Sequence, residues 1–308
     1  MTTAQPRTLI EAIRYFSDLD VCTEFVAKLR WEDGPVCDRC GGVESYYLAK
    51  RRVWKCKACS RQYSVKVGTI FEDSALGLDK WLPAVWLIAN SKNGISSHEL
   101  GRSLGVTQKS AWFMLHRIRL AMKAGSLDKM TGTVEVDETY VGGLSKNMHK
   151  AVRAEKITGG GMVDKTAVIG VLNRGGEVRA EVIQDTTAAT LTGYVKANVV
   201  VDSKVYTDSA SAYNTLRYNF EHGFTDHSLG QYVNGIIHTN GIEGFWALLK
   251  RSIKGTYVAI APKHLGRYVD ERAFAYNNRT SHDFGRFQLA LSTIAGRRLT
   301  YAELTGKA

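Results

Sequence analysis

Three acidic residues in this 308-residue chain stand where carboxylates could act together on metal ions. Asp137 follows the alternating stretch TVEV, Asp208 comes 71 residues later after VYT, and Glu243 lies a further 35 residues on in NGIEGFWALLK. Three carboxylates can hold two divalent ions such as Mg²⁺ about 4 Å apart, which activate an attacking oxygen and stabilise a leaving oxygen at phosphorus. The ordered set therefore predicts metal-dependent phosphodiester chemistry.

Two of the three acids, Asp208 and Glu243, also fit a structural alternative, whereas an acid at the position of Asp137 has little structural need. Asn240 and Glu243 fit a helix N-cap with a glutamate that reaches back to it, and Asp208 fits the cap of a helix after its strand. Glu138 is the nearest substitute for the first acid, although strand alternation turns it to the opposite face. Asp202 rivals the second acid but precedes its strand. The complete set in order favours the metal site over these alternatives.

Four of the five cysteines form two C-x-x-C pairs separated by fifteen residues, Cys37–Cys40 and Cys56–Cys59. Two such knuckles predict a zinc ribbon, in which four thiolates complete a closed tetrahedral shell around one structural Zn²⁺. A pair of disulfides is the alternative, and an intracellular chain argues against it. The fifth cysteine, Cys22, falls in an apolar helical pattern over residues 8–30 and reads as a buried side chain.

The positive charge is concentrated around these cysteines. The chain has a formal net charge of +11, and residues 39–66 contain eight basic residues and one acidic residue, Glu44. Such a patch favours contact with nucleic-acid phosphates, and a solvated surface is the alternative. The candidate DNA-binding residues here are Arg51, Arg52, Lys55, Lys57 and Arg61.

The segment after the ribbon has the layout of a helix-turn-helix. An apolar helical pattern over residues 80–89 is followed by a capping pair, Ser96 and Glu99, by Gly105 at the turn, and by Thr107 as the cap of a second helix. An ordinary packing unit of three helices is the alternative. The first residues of the second helix are candidate DNA contacts: Gln108, Lys109 and Ser110.

From residue 131 the pattern alternates. Strands are predicted over 133–143, 166–176 and 177–187, followed by a helix over 190–199. Residues 203–213 are predicted as a strand that runs into a turn and a helix, and further helices follow after residue 238. A basic, glycine-rich insert over 149–165 predicts a mobile loop. This order predicts an α/β fold of the RNase H-like type. The expected domains are a helical segment (1–35), the zinc ribbon (36–66), the helix-turn-helix region (67–127) and the catalytic domain (128–308).

The sequence contains no apolar run of membrane-spanning length, and it begins without the features of a secretory signal peptide. We therefore expect a cytoplasmic protein. His238 fits either an approach to the acids or a hydrogen bond at a helix entry, and Tyr140 and Tyr206 read as strand packing residues rather than nucleophiles.

Several motifs together resemble bacterial insertion-sequence transposases of the DDE class, in the ISXO-like subgroup that carries an N-terminal zinc ribbon. The motifs are LRWEDGPVCDRCGG, KCKAC, VDETYVGG, YTDSASAY, HTNGIEGFWALLKRSIKGTY and YNNR. The resemblance covers almost the whole chain. It implies a catalytic triad of Asp137, Asp208 and Glu243, two Mg²⁺ or Mn²⁺ ions, and Lys250, two helical turns after the last acid, as a residue that steadies DNA.

The expected function is that of a transposase. The ribbon and helix-turn-helix would bind terminal inverted repeats, and the catalytic domain would free a 3′-hydroxyl and join it to target DNA. Two DNA ends must be held together, so a homodimer or larger assembly on DNA is expected. The alternatives are a DNA-binding regulator without catalysis and a nuclease that cuts without joining.

Overall fold

A computed structural model describes residues 5–123, 128–143, 148–156, 164–226, 229–230 and 233–306. The chain divides into two compact units. Unit 1 comprises residues 1–123 and 280–308, and unit 2 comprises residues 124–279. The C-terminal segment therefore completes the unit that the N-terminal segment begins. A compact unit need not coincide with a functional domain, and the four domains named above remain a prediction.

Eleven α-helices are assigned within the described ranges. They are α1 (Leu9–Tyr15), α2 (Leu19–Arg30), α3 (Leu78–Asn90), α4 (Ser97–Leu104), α5 (Gln108–Met122), α6 (Lys150–Lys156), α7 (Ala188–Asn198), α8 (Asn240–Ser252), α9 (Leu265–Asn277), α10 (Asp283–Ser292) and α11 (Tyr301–Thr305). None of the helices in this part of the chain is long and apolar enough to cross a membrane.

In the described part of the chain, eight strands form two sheets. They are β1 (Ser45–Leu48), β2 (Val53–Cys56), β3 (Gln62–Ser64), β4 (Thr133–Val141), β5 (Thr166–Asn173), β6 (Val178–Ile183), β7 (Lys204–Asp208) and β8 (Glu221–Thr225). The first three strands make a small antiparallel sheet in the order β1-β2-β3. The other five make a mixed sheet in the order β6-β5-β4-β7-β8.

The N-terminal helical pattern of unit 1 is divided into two helices. α1 ends at Tyr15, and the side chain of Asp18 accepts a hydrogen bond from the Asp20 backbone nitrogen at 2.7 Å. An aspartate in this position satisfies a free N–H group at the start of a helix. The periodicity of residues 8–30 predicted helical structure correctly, and the polar residues Ser17 and Asp18 break it.

Aromatic side chains from both ends of the chain meet in the core of unit 1. Phe16 and Trp86 each lie 5.4 Å from Phe287 between ring centroids, and Phe25 stacks on Phe287 at 5.9 Å. Phe287 is fully buried. Aromatic rings carry a large share of buried apolar surface, so α10 is an integral part of this core.

The predicted pair of helices over residues 96–123 is present as α4 and α5. The Ser96 side chain accepts from the Glu99 nitrogen, and the Thr107 side chain accepts from the Ser110 nitrogen, so each helix has its expected N-cap. Gly105 ends α4 with φ of 64°, which is a left-handed conformation that favours glycine. The assignment of this pair as a helix-turn-helix remains a prediction.

Unit 2 is a sheet with helices and a core on each face. β4, β5 and β6 are antiparallel neighbours, whereas β7 runs parallel to β4 and β8 runs parallel to β7. One face carries a core that includes Val134, Val136, Val195 and Tyr213. The other face carries a core in which α8 and α9 contribute most of the buried side chains. The mixed α/β architecture that we expected is therefore confirmed.

Two features of unit 2 differ from the sequence prediction. Residues 150–156 form α6, so the expected mobile loop is wrong for this part, while residues 157–163 lie outside the described ranges. The strand β8 was not predicted, because EHGFT combines a glycine with charged and exposed positions. The segment after β7 is a 3₁₀ helix over Ser211–Tyr218, which agrees with the turn and helix predicted after this strand.

Candidate active site and zinc site

Asp137 and Asp208 lie on neighbouring strands at matching positions. In the parallel pairing of β4 with β7, Glu135 stands opposite Tyr206. Asp137 and Asp208 come two residues further along each strand, just beyond this last pair, and Asp208 is near enough for its charge to act on Asp137. Side chains two residues apart in a strand share a face. Both acids therefore point to the face that carries α8.

A tryptophan of α8 ties this helix to the first acid. The indole nitrogen of Trp246 donates a hydrogen bond to Asp137 Oδ2 at 3.0 Å. Asp137 is paired across β5 with Gly170, and a Cβ at Gly170 would lie 2.7 Å from Trp246 Cη2. A side chain at position 170 would therefore push the indole away from the sheet. The glycine allows Trp246 to lie flat enough to reach the carboxylate.

Glu243 and Lys250 lie on the exposed part of α8. Glu243 comes one helical turn before Trp246, and Lys250 comes two turns after Glu243 on the same side of the helix. The Thr239 hydroxyl donates to Glu243 Oε1 at 2.9 Å. The helix that Trp246 anchors on Asp137 therefore also carries the third predicted acid and the predicted lysine.

Another residue, Glu135, caps the N-terminus of α8. Glu135 Oε2 accepts from the backbone nitrogens of Gly241 at 2.7 Å and Ile242 at 3.0 Å. The N-cap residue, Thr239, makes no capping bond with its side chain. Asn240 is therefore not the N-cap residue that the alternative required, and Glu243 contacts the N-cap residue Thr239 instead. His238 lies at this helix entry, with Nδ1 3.4 Å from Glu135 Oε1.

Negative charge is crowded around Asp137. Burial, together with the negative charges of Glu138 and Asp208, raises the pKa of Asp137 to about 7. Burial also raises the pKa of Glu138, which accepts a hydrogen bond from the Tyr213 hydroxyl on the opposite face, as strand alternation predicted. A bound cation favours ionised carboxylates, so this donor set fits a divalent metal ion.

The three acids do not surround a single point. Within the described ranges, the four cysteines form the one group of three or more His, Cys, Asp or Glu side chains placed so that they could hold a single metal ion, and their sulfur atoms all lie within 4.8 Å of one another. A set that holds two ions about 4 Å apart spreads over a wider space than a one-ion site. Asp208 also makes a local turn, in which Oδ1 accepts from the Ala210 nitrogen at 3.1 Å.

The four predicted zinc ligands converge. The sulfur atoms of Cys37 and Cys59 are 3.6 Å apart, as are those of Cys40 and Cys56. Tetrahedral coordination with Zn–S bonds of about 2.3 Å requires sulfur atoms about 3.8 Å apart, so the cluster fits Zn²⁺. A Cβ at Gly42 would lie 3.2 Å from Cys56 Sγ, which explains the glycine after the first knuckle.

Ion pairs neutralise much of the charge that we predicted on the ribbon. Arg52 pairs with Asp20 at 2.6 Å, Lys57 with Glu44 at 3.1 Å, and Arg61 with Asp38 at 3.0 Å. Two of these acids lie outside residues 39–66, where the sequence count could not include them. Arg51 donates to Gln62 and Lys55 is exposed. Within the described chain, neither of them has an acidic partner.

The three candidate DNA contacts on α5 lie together at its first turn. Gln108 donates to Ser97 Oγ at 2.8 Å, and the ammonium of Lys109 lies 4.8 Å from the centre of the Tyr301 ring. The Ser110 hydroxyl is 2.9 Å from that of Thr107. Gln108 and Lys109 are exposed, and Ser110 is partly buried.

The YNNR motif has a structural role at the edge of the large sheet. Asn277 accepts from the Val178 nitrogen at 2.8 Å and donates to the Val178 oxygen at 3.0 Å. Its amide therefore pairs with edge strand β6 as a further strand would. The sequence analysis did not predict this role of Asn277. It also missed the three residues that orient α8, which are Glu135, Gly170 and Trp246. A glutamate within the buried strand β4 and a glycine within β5 were available signals.

Two family models match this chain. The model described as an ISXO2-like transposase domain matches residues 129–277, and the model described as a transposase zinc-ribbon domain matches residues 18–62. An uncharacterized protein in transposable element ISH50 from Halobacterium salinarum is 29% identical over 238 residues, which cover 73% of this chain and 80% of the relative. An uncharacterized transposase-like protein from Haemophilus influenzae is 30% identical over 103 residues, which cover 33% of this chain and 82% of that protein.

Proposed function

Because this chain belongs to the insertion-sequence transposases that combine a zinc ribbon with an ISXO2-like DDE domain, we propose that it cuts and joins DNA at the ends of an insertion sequence. DNA is the partner that the family implies. The proposed reaction is metal-dependent strand cleavage followed by strand transfer into target DNA.

The observation that carries this proposal is the hydrogen bond between Trp246 and Asp137. It joins the helix that bears Glu243 to the strand that bears the first acid, on the sheet face that also receives Asp208. The strand order β6-β5-β4-β7-β8, with three antiparallel strands followed by two parallel ones, supports an RNase H-like assignment. The domain boundaries predicted above are part of this proposal.

We assign Asp137, Asp208 and Glu243 as ligands of two Mg²⁺ or Mn²⁺ ions. When bound, such ions activate a nucleophilic oxygen and stabilise the leaving oxygen. Trp246 fixes the orientation of the Asp137 carboxylate, and Lys250 contributes positive charge for the DNA backbone on the same side of α8. No side chain is needed as a covalent nucleophile, so Tyr140 and Tyr206 are given no such role.

We assign recognition of the terminal inverted repeats to unit 1. The closed Cys₄ shell has no open coordination position, so its Zn²⁺ would hold the ribbon fold and take no part in catalysis. Among the five candidate DNA-binding residues of the ribbon, Arg51 and Lys55 are the strongest candidates for phosphate contacts, since the other three have acidic partners. Gln108, Lys109 and Ser110 would contact DNA from the first turn of α5.

Joining two ends requires that both be held at once, so we propose a homodimer or larger assembly on DNA. The test is a mobility assay in which a marker between the element's own ends is moved by protein supplied in trans. Asp208→Asn and Glu243→Gln should abolish movement while the ends are still bound. Asp202→Asn is the matched control, because Asp202 precedes β7 in a left-handed conformation that asparagine accepts.

The outcomes separate three functions. Movement by the wild type and by Asp202→Asn, but not by the two triad variants, supports a transposase. If purified wild type binds the ends but neither cuts nor joins them with Mg²⁺ or Mn²⁺, a regulator is the better account. Cut products without joined products would indicate a nuclease.

A further inference from the structure

Glu135 is a buried carboxylate with an unusual number of donors. It is 1% exposed, and its two oxygens accept from the backbone nitrogens of Gly241 and Ile242 and from Arg174 Nε at 2.7 Å. Burying a charge is costly unless it is paired and hydrogen-bonded. A neutral serine or threonine is sufficient to cap a helix. The charge at position 135 therefore needs an explanation beyond capping.

Arg174 extends the same arrangement to the loop before α8. Its Nη1 donates to the Ile236 oxygen at 2.7 Å, and its Nη2 donates to the His238 oxygen at 2.9 Å. Its guanidinium also lies 4.9 Å from the centre of the Tyr206 ring on β7. The planar, multi-donor head of arginine can bind a carboxylate and two carbonyls at once, which lysine cannot reproduce.

The residues through which this Glu135–Arg174 pair acts each lie two positions before a proposed metal ligand in the sequence. Glu135 is two residues before Asp137 on β4, and Tyr206 is two residues before Asp208 on β7. Gly241 is two residues before Glu243 on α8. The pair therefore lies on or contacts each of the three elements that carry an acid, in each case two residues before that acid in the sequence.

The approach of α8 to Glu135 also depends on a glycine. A Cβ at Gly241 would lie 2.8 Å from Glu135 Oε2 and 3.2 Å from Leu172 Cδ2. Since a side chain at this position would separate the helix N-terminus from the carboxylate, Gly241 allows the short bonds. The glycine of the NGIE motif thus has a specific partner 106 residues earlier in the chain.

We propose that Glu135 and Arg174 are positioning residues that set the spacing of the three metal-binding carboxylates. They do so by fixing the N-terminus of α8 against β4 and β7. This inference rests on the proposed function, because it takes Asp137, Asp208 and Glu243 as the ligands. It assigns to the Glu135–Arg174 pair an effect on metal affinity, and not only on stability.

The test measures Mn²⁺ binding directly, by the electron paramagnetic resonance signal of free Mn²⁺, in zinc-loaded full-length protein without DNA. Glu135→Gln keeps an oxygen that can accept from the helix nitrogens but removes the negative charge. Arg174→Lys keeps the positive charge but removes the planar guanidinium with its several donors. Each should weaken Mn²⁺ binding about tenfold, as expected for groups that orient metal ligands. The Mn²⁺ concentration for half-maximal DNA cleavage should rise by a similar factor.

Two control variants provide reference values. Asp137→Asn shows how far Mn²⁺ affinity falls when a proposed ligand is lost. Val195→Ala removes buried methyl groups from the core on the opposite face, so it lowers thermal stability without touching α8. It should leave the Mn²⁺ midpoint at the wild-type value.

The possible outcomes are distinct. If Glu135→Gln and Arg174→Lys lose stability as Val195→Ala does but bind Mn²⁺ like the wild type, the pair is structural only and the inference is overturned. If the wild type itself binds no Mn²⁺ and cuts no DNA, the proposed function fails, and the assignment of the pair fails with it. A shifted midpoint in both variants, with the wild-type value in Val195→Ala, supports the inference.

Discussion

Asp137 lies between a hydrogen-bond donor and two neighbouring acids, and this environment distinguishes it from an ordinary aspartate at a strand end. Trp246 fixes one carboxylate oxygen, while burial and the charges of Glu138 and Asp208 disfavour ionisation. The residue type and its position after a strand were predictable from the sequence. The donor was not, because Trp246 is 109 residues away and reads as an ordinary core residue of an amphipathic helix.

The raised pKa of Asp137 has a consequence for stability. Its value rises from 3.8 to about 7 on folding. Between these values the folded protein keeps a proton that the unfolded chain releases, so stability from this group falls as the pH rises through about 7. Without Mg²⁺ or Mn²⁺, we expect Asp137→Asn to melt at a higher temperature than the wild type at pH 8, with a smaller difference at pH 5.

Differential scanning calorimetry of zinc-loaded protein would measure this effect, with Asp202→Asn as a control that should melt like the wild type at both pH values. Added Mn²⁺ should stabilise the wild type and leave Asp137→Asn unchanged. A lower melting temperature for Asp137→Asn at pH 8 would show that the ionised carboxylate stabilises the metal-free fold.

Individual elements were predictable where their pattern is local. The cysteine knuckles, the N-caps Ser96 and Thr107, and the hairpin of β5 and β6 around Gly175 all lie within a few residues of their partners. The edge strand β8 and the cap on α8 were not predictable, because each depends on a distant segment. Glu135 stands within a buried strand, and nothing in its own neighbourhood identifies the helix that it caps.

Ion pairing divides the candidate DNA-binding residues of the ribbon into two groups, those with an acidic partner and those without one among the described residues. We expect Lys55→Ala to reduce the slope of log K against log salt for DNA binding by about 1, because an unpaired lysine releases counterions when it meets a phosphate. Lys57→Ala should change the slope less, since Lys57 already pairs with Glu44. Filter binding over a range of salt concentrations would measure both slopes, and equal changes would contradict a role for pairing.

At the β6 edge of the large sheet, the Asn277 side chain makes the hydrogen bonds that a neighbouring strand would make. Asn277→Ala removes two hydrogen bonds to Val178 and should lower the free energy of unfolding by about 1–2 kcal/mol. Amide hydrogen exchange at Val178 should become faster. The neighbouring Asn278→Ala loses only a bond to the Phe274 oxygen within its own helix and should leave Val178 protected. Unchanged exchange in Asn277→Ala would show that the edge does not depend on this side chain.

At the scale of the whole molecule, the zinc site and the acidic site belong to different compact units. We therefore expect Cys40→Ser to abolish zinc binding and to alter the fluorescence of Trp31 and Trp54, which pack beside the cysteines. Mn²⁺ binding at the acids should remain. Cys22→Ala is the matched control, because Cys22 lies outside the ligand set and should keep one zinc per chain. Loss of Mn²⁺ binding together with zinc would show that the two sites are linked.

The contribution of α10 to the core of unit 1 has a consequence for synthesis. Domains generally begin to fold as the chain emerges from the ribosome, N-terminal part first. Here the packing of Phe16, Phe25 and Trp86 cannot be completed until Phe287 has been translated, 201 residues after Trp86. A chain that stops before α10 therefore lacks part of the core of unit 1. If unit 1 binds DNA ends as proposed, a chain that stops before α10 would compete poorly for them.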